Sequence, residues 1–234
     1  MANILLTGAS RGIGAAARTM LVAAGHHVIG QSTAGGDGLI VADFALAGAG
    51  DALWDTAIAS APGGRIDVLV NNAGVFEAAD VADAAGFAAA WARSNAINLQ
   101  SAADLCRRAV LHFRTRGGGR IVNVASRAGH RGDSPAHWHY AAAKAGMIAM
   151  TKSIARGYAR DNIFAFAIAP GFTMTGMAED YLASRGGDQL LADIPLGRVA
   201  DAEEVAETIR WLASDAPASL TGSTLDINGA SYVR

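Results

Sequence analysis

The feature that most restricts the fold of this chain is a regular alternation of short apolar runs with longer alanine-rich segments. Seven runs are continuously apolar and rich in β-branched residues, at residues 4–7, 27–31, 39–42, 68–70, 120–124, 163–168 and 225–227. Such runs are typical of strands covered by helices on both faces, and intervening segments such as residues 12–24 and 99–114 are long enough for crossover helices. The pattern therefore predicts a doubly wound parallel sheet.

Length and glycine distribution predict one α/β domain. The chain has 234 residues, of which 51% are hydrophobic and 17% charged, so it can bury one large core. The glycine-rich stretches at residues 35–38, 63–64 and 117–119 are short enough to be turns. Too few residues separate the second and third runs for a helix with its turns, so this crossover is predicted to be a bare loop.

Composition excludes several classes of function. A net charge of -2 gives no support for binding nucleic acid. The single cysteine cannot form an internal disulfide, and the six histidines lack zinc-ligand spacing, so no metal is expected. The start of the chain lacks a signal-peptide pattern, and no apolar run approaches the length of a membrane span. We expect a soluble cytoplasmic protein that acts on a small molecule.

A glycine-rich turn follows the first predicted strand. It reads Thr-Gly-Ala-Ser-Arg-Gly-Ile-Gly over residues 7–14 and leads into an alanine-rich segment. Glycines allow close approach to a pyrophosphate, and the N-terminus of a helix attracts its charge. The spacing is GxxxGxG rather than GxGxxG, and a purely structural turn is the alternative. The position of the turn favours nucleotide binding, with these candidate residues: Gly8, Ser10, Arg11, Gly12, Ile13 and Gly14.

A second turn, Asn71-Asn72-Ala73-Gly74, ends the fourth predicted strand. Ligands of open parallel sheets bind beyond the carboxyl ends of the strands, where the first and fourth strands diverge. This turn should therefore face the glycine-rich turn across a crevice. The two asparagines are equally consistent with residues that only stabilise the turn.

The third motif is Tyr140-Ala-Ala-Ala-Lys144, in a segment of good helix formers. Positions i and i+4 share a helix face, which puts a phenol beside an ammonium group. A positive neighbour lowers the pKa of a tyrosine and makes proton transfer feasible. Taken alone, a buried tyrosine with a surface lysine is the more common arrangement. Ser126, at the end of the fifth run, adds a hydroxyl at the crevice, or is an ordinary strand-end serine.

With these motifs in this order, the sequence resembles the short-chain dehydrogenase/reductase family over essentially its whole length. Further matching features are Asn98, Pro170-Gly171 and residues 195–198, 220–222 and 226–229. Within the family it is most similar to the 3-oxoacyl-(acyl-carrier-protein) reductase type. The resemblance implies a single Rossmann-type domain with a seven-stranded parallel sheet flanked by helices on both faces.

The resemblance also implies residue roles. Tyr140 is the general acid in reduction, or the base in oxidation; Ser126 orients the substrate oxygen; Lys144 binds the nicotinamide ribose and tunes Tyr140; and Asn98 holds a water in the proton relay. The remaining cofactor contacts implied are Asp43 at the adenine; Asn71, Ala73 and Gly74 on the adenosine ribose side; and Pro170, Gly171, Thr173 and Thr175 around the nicotinamide and pyrophosphate.

The end of the second run predicts the choice of cofactor. A carboxylate there would bind the ribose hydroxyls of NAD and repel a 2′-phosphate, and residues 28–33 contain no acid. Arg11 can reach the same region, and Ser32 and Thr33 offer further donors. We therefore expect NADP(H) rather than NAD(H), with Ser32→Asp moving the preference toward NAD(H).

The chain departs from the usual family pattern in three places. Residues 165–166 read Ala-Phe where the family often has Val-Asn, the interval from Ser126 to Tyr140 is one residue longer than is common, and the second crossover is short. Arg127, Arg131 and His137 in that longer interval could attract an anionic substrate, but we expect solvated loop charges. Residues 172–196 are expected to form a mobile substrate lid, with a fixed packed helix as the alternative.

These inferences lead to a reductase of a ketone or aldehyde, carrier-bound or free. An alcohol dehydrogenase using the same residues in oxidation is the alternative, and a nucleotide-binding regulator without turnover is a third hypothesis. A homotetramer is expected from the resemblance and from the low charged fraction. This fraction suggests that helices over residues 90–115 and 139–160 bury apolar faces against other subunits.

Overall fold

A parallel seven-stranded sheet forms the centre of the computed structural model, which describes residues 1–174 and 191–234. The sheet order is β3-β2-β1-β4-β5-β6-β9, and every pair of neighbours is parallel. In chain order, its strands are β1 (Asn3–Leu6), β2 (His27–Ser32), β3 (Ile40–Val41), β4 (Val68–Asn71), β5 (Gly119–Val124), β6 (Ile163–Pro170) and β9 (Thr224–Ile227). A separate parallel pair consists of β7 (Thr173–Met174) and β8 (Ala200–Asp201). All seven predicted strands are confirmed.

Helices cover both faces of this sheet. They are α1 (Gly12–Ala23), α2 (Ala49–Ser60), α3 (Ala84–Asn95), α4 (Ser101–Arg116), α5 (Ala128–Arg131), α6 (Trp138–Tyr158) and α7 (Ala202–Ser214). A π-helical segment, Ala96–Gln100, joins α3 to α4, and short 3₁₀ turns lie at Pro62–Gly64, Ala159–Asp161 and Ala218–Leu220. No helix separates β2 from β3, so the predicted bare crossover is confirmed.

Alternate side chains of each strand enter different apolar layers, because successive strand residues point to opposite faces. Leu5 of β1 packs with Leu105 and Phe113 of α4, whereas Ile4 and Leu6 pack in the layer that contains α1 and α7. All five side chains are fully buried. The continuous apolar character of the strands thus follows from burial on both faces.

The Ala-Phe departure in β6 is explained by packing around Arg120. The guanidinium of Arg120 lies 5.9 Å from the ring centre of the fully buried Phe166. It also donates hydrogen bonds of 2.9 Å to the carbonyls of Leu212 and Ala216, near the end of α7. Phe166 therefore helps to fix a cation that satisfies one carbonyl in the last turn of α7 and one just beyond it.

Two sequence predictions have a different outcome. The predicted helix over residues 90–115 is helical throughout, but it consists of α3, the π-helical segment and α4 rather than one regular helix. The predicted lid at residues 172–196 falls largely on residues 175–190, outside the described residues, and so does Thr175.

Candidate active site

The glycine-rich turn lies where β1 meets α1. Gly8 and Gly12 adopt left-handed backbone angles, with φ of 65° and 52°, which favour glycine. A methyl group on Gly14 would overlap the Gly8 carbonyl oxygen and lie 2.6 Å from Asn72 Nδ2. No described side chain caps α1 at Arg11, and its first turn contains no acid. The N–H groups at the start of α1 can therefore receive an anion.

Thr7 and Asn72 hold the two turns of the crevice together. The Thr7 hydroxyl accepts hydrogen bonds from the backbone N–H groups of Asn72 and Ala73, at 2.9 and 3.0 Å. The Asn72 amide donates to the carbonyls of Thr7 and Gly8, at 3.0 and 3.1 Å. The sequence analysis offered Asn72 as a residue that stabilises the turn but gave Thr7 no role, since hydrogen bonds across more than sixty positions leave no local pattern.

The side chain of Asn71 points away from the crevice. It is buried, and its Nδ2 donates to Asn123 Oδ1 at 2.8 Å and to Cys106 Sγ at 3.3 Å. Burial raises the pKa of the Cys106 thiol to about 12. The implied cofactor contact of Asn71 is therefore open to its backbone, while its side chain stabilises the interior rather than the turn.

The end of β2 also differs in detail from the prediction. Ser32 is buried, and its hydroxyl accepts from the Gly35 N–H at 2.9 Å, so it shapes the turn after the strand. Thr33 is exposed. Gln31, which sequence reasoning missed, accepts from the Gly8 N–H at 2.9 Å and ties the glycine-rich turn to β2. Asp43 follows β3 and accepts from the Ala45 N–H at 3.0 Å.

Two arginines lie near this corner of the molecule. Arg11 is exposed and forms no ion pair with any described residue. Arg18, one of the residues that the sequence analysis missed, donates to the Asp37 carbonyl at 2.8 Å and so reaches the loop between β2 and β3. Arg18 therefore places a positive charge at the loop between β2 and β3.

Tyr140 and Lys144 lie in the first two turns of α6. The Lys144 side chain is only 3% exposed, so the surface lysine of the common alternative is not found. Its Nζ donates to the Val124 carbonyl at 2.8 Å and lies 5.8 Å from the Tyr140 ring centre. The last residue of β5 thus anchors the ammonium beside the phenol.

Burial controls the proton affinities of this pair. Burial lowers the pKa of Lys144 to about 8. Burial also raises the pKa of Tyr140, and a hydrogen bond with the Ser126 hydroxyl acts in the opposite direction. Burial is thus the largest cause acting on the pKa of Tyr140, and a lowering by the neighbouring ammonium stays a prediction. The phenol holds its proton at neutral pH.

Asn98 lies in the π-helical segment, a local distortion that is frequent at functional sites. It is fully buried; its Nδ2 donates to the Val75 carbonyl at 3.0 Å and to Ser94 Oγ at 2.9 Å, and its Oδ1 accepts from the Val75 N–H at 3.0 Å. A methyl group on Gly74 would lie 2.8 Å from Asn98 Oδ1 and 3.5 Å from Lys144 Nζ. Gly74 therefore lies between two members of the implied tetrad.

The turn that follows β6 lies at the carboxyl edge of the sheet, beside the loop that contains Ser126. The Pro170 carbonyl accepts from the Arg127 N–H at 3.0 Å, and the Gly171 N–H donates to the Ile227 carbonyl at 2.9 Å. Thr173 is buried, and its hydroxyl donates to the Gly171 carbonyl at 3.3 Å. These contacts place the turn next to the Ser126 loop.

Aromatic rings that sequence reasoning did not identify lie beside Tyr140. Phe76 meets the Tyr140 ring edge to face at 4.9 Å and stacks on His137 at 3.9 Å. His137 also hydrogen-bonds through Nδ1 to Ser134 Oγ at 2.7 Å, and burial lowers its pKa. His137 is therefore a packed ring rather than a solvated charge.

Arg127 also contradicts the expectation of a solvated loop charge. Its side chain is buried at 6% exposure, whereas that of Arg131 remains partly exposed. The buried arginine directly follows Ser126 in the chain.

Metal-binding clusters and membrane-spanning helices are both absent from residues 1–174 and 191–234. There, no three His, Cys, Asp or Glu side chains lie close enough together to share a metal ion. No helix of the same residues has the length and apolarity needed to cross a membrane.

Comparison with known proteins gives consistent matches over the whole chain. A family model described as enoyl-(acyl carrier protein) reductase matches residues 8–230. The chain is 36% identical over 239 residues to the 3-oxoacyl-(acyl-carrier-protein) reductase FabG of Escherichia coli strain K12, covering 98% of this chain and 96% of the relative. It is 35% identical over 238 residues to the acetoacetyl-CoA reductase of Rhizobium meliloti strain 1021, covering 97% of each.

A third relative is similar to this chain to a comparable degree. The 3-oxoacyl-(acyl-carrier-protein) reductase of a Synechocystis species is 38% identical over 243 residues, covering 96% of this chain and 94% of the relative. The likeness therefore spans both turns of the crevice and the segment that contains Tyr140 and Lys144.

Proposed function

Because this chain belongs to the short-chain dehydrogenase/reductase family, we propose that it reduces a ketone or aldehyde carbonyl to an alcohol with NADP(H) as cofactor. The observation that carries this proposal is the grouping of the half-buried Tyr140 with the buried Ser126 and Lys144 at the carboxyl edge of the sheet. It lies at the same edge as the uncapped N-terminus of α1. A proton donor and an anion-binding turn are the parts that such a reduction needs.

The residues present fit a dinucleotide with a 2′-phosphate. The start of α1 offers backbone N–H groups to the pyrophosphate, and the close packing of Gly14 on Gly8 keeps the turn tight. Arg11 is exposed and available for the 2′-phosphate, and Thr33 at the end of β2 is exposed as well. When bound, the nicotinamide ring supplies the hydride. The preference for NADP(H) over NAD(H) rests on Arg11 and on the absence of an acid at the end of β2.

The side chains of the site supply the proton and its control. Tyr140 donates its phenolic proton to the substrate oxygen, and Ser126 donates a hydrogen bond to the same oxygen. The Lys144 ammonium stabilises the phenolate that remains, until a water held near Asn98 returns the proton. The raised pKa of Tyr140 favours the protonated phenol, the form needed for reduction. The names of the relatives, which are all reductases, favour reduction over alcohol oxidation.

A carbonyl panel tests the function. Oxidation of NADPH and NADH would be followed at 340 nm with acetoacetyl-CoA and with free ketones and aldehydes. We expect reduction of at least one carbonyl, at higher kcat/KM with NADPH. Absence of hydride transfer with every carbonyl and both cofactors would favour a nucleotide-binding regulator. Oxidation of the matching alcohols alone would favour an alcohol dehydrogenase.

We also propose a homotetramer located in the cytoplasm. Family likeness supports the assembly, and so do large apolar side chains on the surface of α3, α4 and α6: Trp91, Leu111 and Trp138 are 41%, 53% and 53% exposed. Light scattering at micromolar protein should return four times the mass of one chain. A mass equal to that of one chain would contradict the assembly.

A further inference from the structure

Arg127 lies between the catalytic hydroxyl and the turn after β6. Its backbone follows Ser126 directly, and its N–H donates to the Pro170 carbonyl at 3.0 Å. Its guanidinium lies 5.3 Å from the ring centre of Phe172. The side chain therefore lies at the same edge of the sheet as the candidate active site.

This guanidinium has too few partners for a buried charge. Arg127 Nη1 is buried and makes no hydrogen bond. The nearest carboxylate oxygen, Asp193 Oδ2, is 3.7 Å away, whereas Arg131 Nη1 lies 3.0 Å from that same oxygen. Burial, and next the charge of Arg131, lower the pKa of Arg127. The surroundings of Arg127 are therefore short of negative charge.

A structural ion pair is the simplest alternative explanation. Asp193 would then join its segment to the loop that carries Ser126. However, the Asp193 side chain is half exposed, and its oxygen lies closer to Arg131, which alone forms a hydrogen bond with it. If Arg127 served only to bind Asp193, its buried Nη1 should form a hydrogen bond. That nitrogen instead has no hydrogen-bond partner.

We propose that Arg127 binds a carboxylate of the substrate, so that the protein prefers an oxo acid to a neutral ketone or a thioester. The inference rests on the proposed carbonyl reduction and adds the class of substrate. The planar fork of a guanidinium matches a carboxylate. Asp193 occupies the neighbourhood of Arg127 with its own carboxylate, which an incoming carboxylate displaces. An ester or thioester has no negative charge next to its carbonyl group and gains nothing from Arg127.

Matched substrates and variants test this specificity. The substrates are 2-oxobutanoate, acetoacetate and 4-oxopentanoate, each with its methyl ester, together with acetoacetyl-CoA. For the best acid, kcat/KM should exceed that of its ester by at least about tenfold in the native protein. Arg127→Met should lower kcat/KM for the acid by about ten- to a hundredfold, the range of one charged hydrogen bond, and change the ester less than about twofold. Arg127→Lys should restore part of the loss.

Two further variants separate binding from a structural role. Arg131→Met, the matched control, removes a neighbouring positive charge and frees Asp193 to approach Arg127, so it should lower the acid-to-ester ratio only slightly and far less than Arg127→Met. Asp193→Asn should lower KM for the acid without changing the ester, because it removes the competing carboxylate. An equal loss on acid and ester in Arg127→Met, or a weaker acid preference in Asp193→Asn, would overturn the proposal.

A binding measurement keeps this inference distinct from the proposed function. The same acids would be titrated calorimetrically into the protein with and without NADP⁺, which cannot reduce them. Binding that Arg127→Met abolishes would support the inference even if no carbonyl is reduced, a result that contradicts only the proposed function. Carbonyl reduction without any binding or preference for the acids would support the function and overturn the inference.

Discussion

The Nζ of Lys144 lies 5.8 Å from the centre of the Tyr140 ring, one helical turn away, and donates to the Val124 carbonyl. The ammonium is therefore close enough to stabilise a phenolate, although a strand carbonyl is its direct partner. Lys144 is buried and Tyr140 is half-buried, so loss of solvation makes the arrangement that permits proton transfer costly in free energy.

Replacement of Tyr140 by Phe should separate catalysis from folding. The ring and its edge-to-face contact with Phe76 remain, while the transferable proton is lost. We expect kcat to fall by about 10²–10⁴-fold, the usual contribution of general acid catalysis, with cofactor affinity retained. Single-turnover kinetics and fluorescence titration with NADPH would measure the two effects. A folded variant that keeps more than about a tenth of native kcat would remove Tyr140 from this role.

Replacement of Lys144 by Met should raise stability at neutral pH while it impairs turnover. At neutral pH Lys144 is charged in both the folded and the unfolded states. Under that condition, the shift of its pKa from 10.5 to about 8 corresponds to a free energy of unfolding that is lower by about 3 kcal/mol. Loss of the hydrogen bond to Val124 offsets part of the gain, so we expect a net increase of about 1–3 kcal/mol at pH 7.

The pH dependence of the free energy of unfolding tests whether the buried charge of Lys144 causes this stability difference. Between about pH 8 and pH 10.5 the unfolded chain holds the Lys144 proton and the folded chain does not, so the stability of the native protein rises with pH. The advantage of Lys144→Met should therefore shrink over this window in urea unfolding curves. Lys152→Met, on the exposed side of the same helix, should show little difference at any pH. A constant advantage of Lys144→Met across the window would exclude the buried charge as its cause.

Charge at the end of β2 should control cofactor preference. Arg11→Met should lower kcat/KM for NADPH by about ten- to a hundredfold and leave NADH nearly unchanged. Thr33→Asp should reverse the preference, since Thr33 is exposed. Ser32→Asp is a poorer test than the sequence suggested, because the Ser32 hydroxyl forms the turn with Gly35. Equal or better efficiency of the native protein with NADH would contradict the NADP(H) proposal.

The packing of the glycine-rich turn should tolerate no added methyl group. Gly14→Ala would bring a methyl group against the Gly8 carbonyl and Asn72, so the turn must shift. We expect lower stability and loss of measurable NADPH binding by calorimetry. Gly157→Ala, in α6 with open space around it, should instead raise stability by about 0.5–1 kcal/mol through helix propensity. Normal NADPH affinity in Gly14→Ala would show that this close contact is not required.

Local sequence patterns predicted the strands, the glycine-rich turn and the helical spacing, because each of these features depends on the backbone geometry of neighbouring residues. The seven strands are recognisable from apolar runs that must be buried on both faces, and the start of α1 from glycines that permit positive φ angles. The spacing of Tyr140 and Lys144 likewise follows from the helical repeat. The short link between β2 and β3 predicted a crossover without a helix.

The directions of side chains and their burial depend on residues far away in the chain. Asn71 and Asn72 are adjacent, yet one points to Cys106 and the other to Thr7 and Gly8. The π-helical segment at Asn98 is accompanied by hydrogen bonds to Val75, which no local pattern in residues 90–115 could reveal.

The sequence by itself determined the parallel sheet, the two turns of the crevice and the order of the candidate catalytic residues. The tertiary structure decided that Arg127 is buried, that Ser32 belongs to a turn and that burial shifts the pKa values of Tyr140 and Lys144 in opposite directions. The physical reason is that backbone preference and hydrophobic periodicity act between near neighbours, whereas solvation and hydrogen bonding depend on which distant segments the fold brings together.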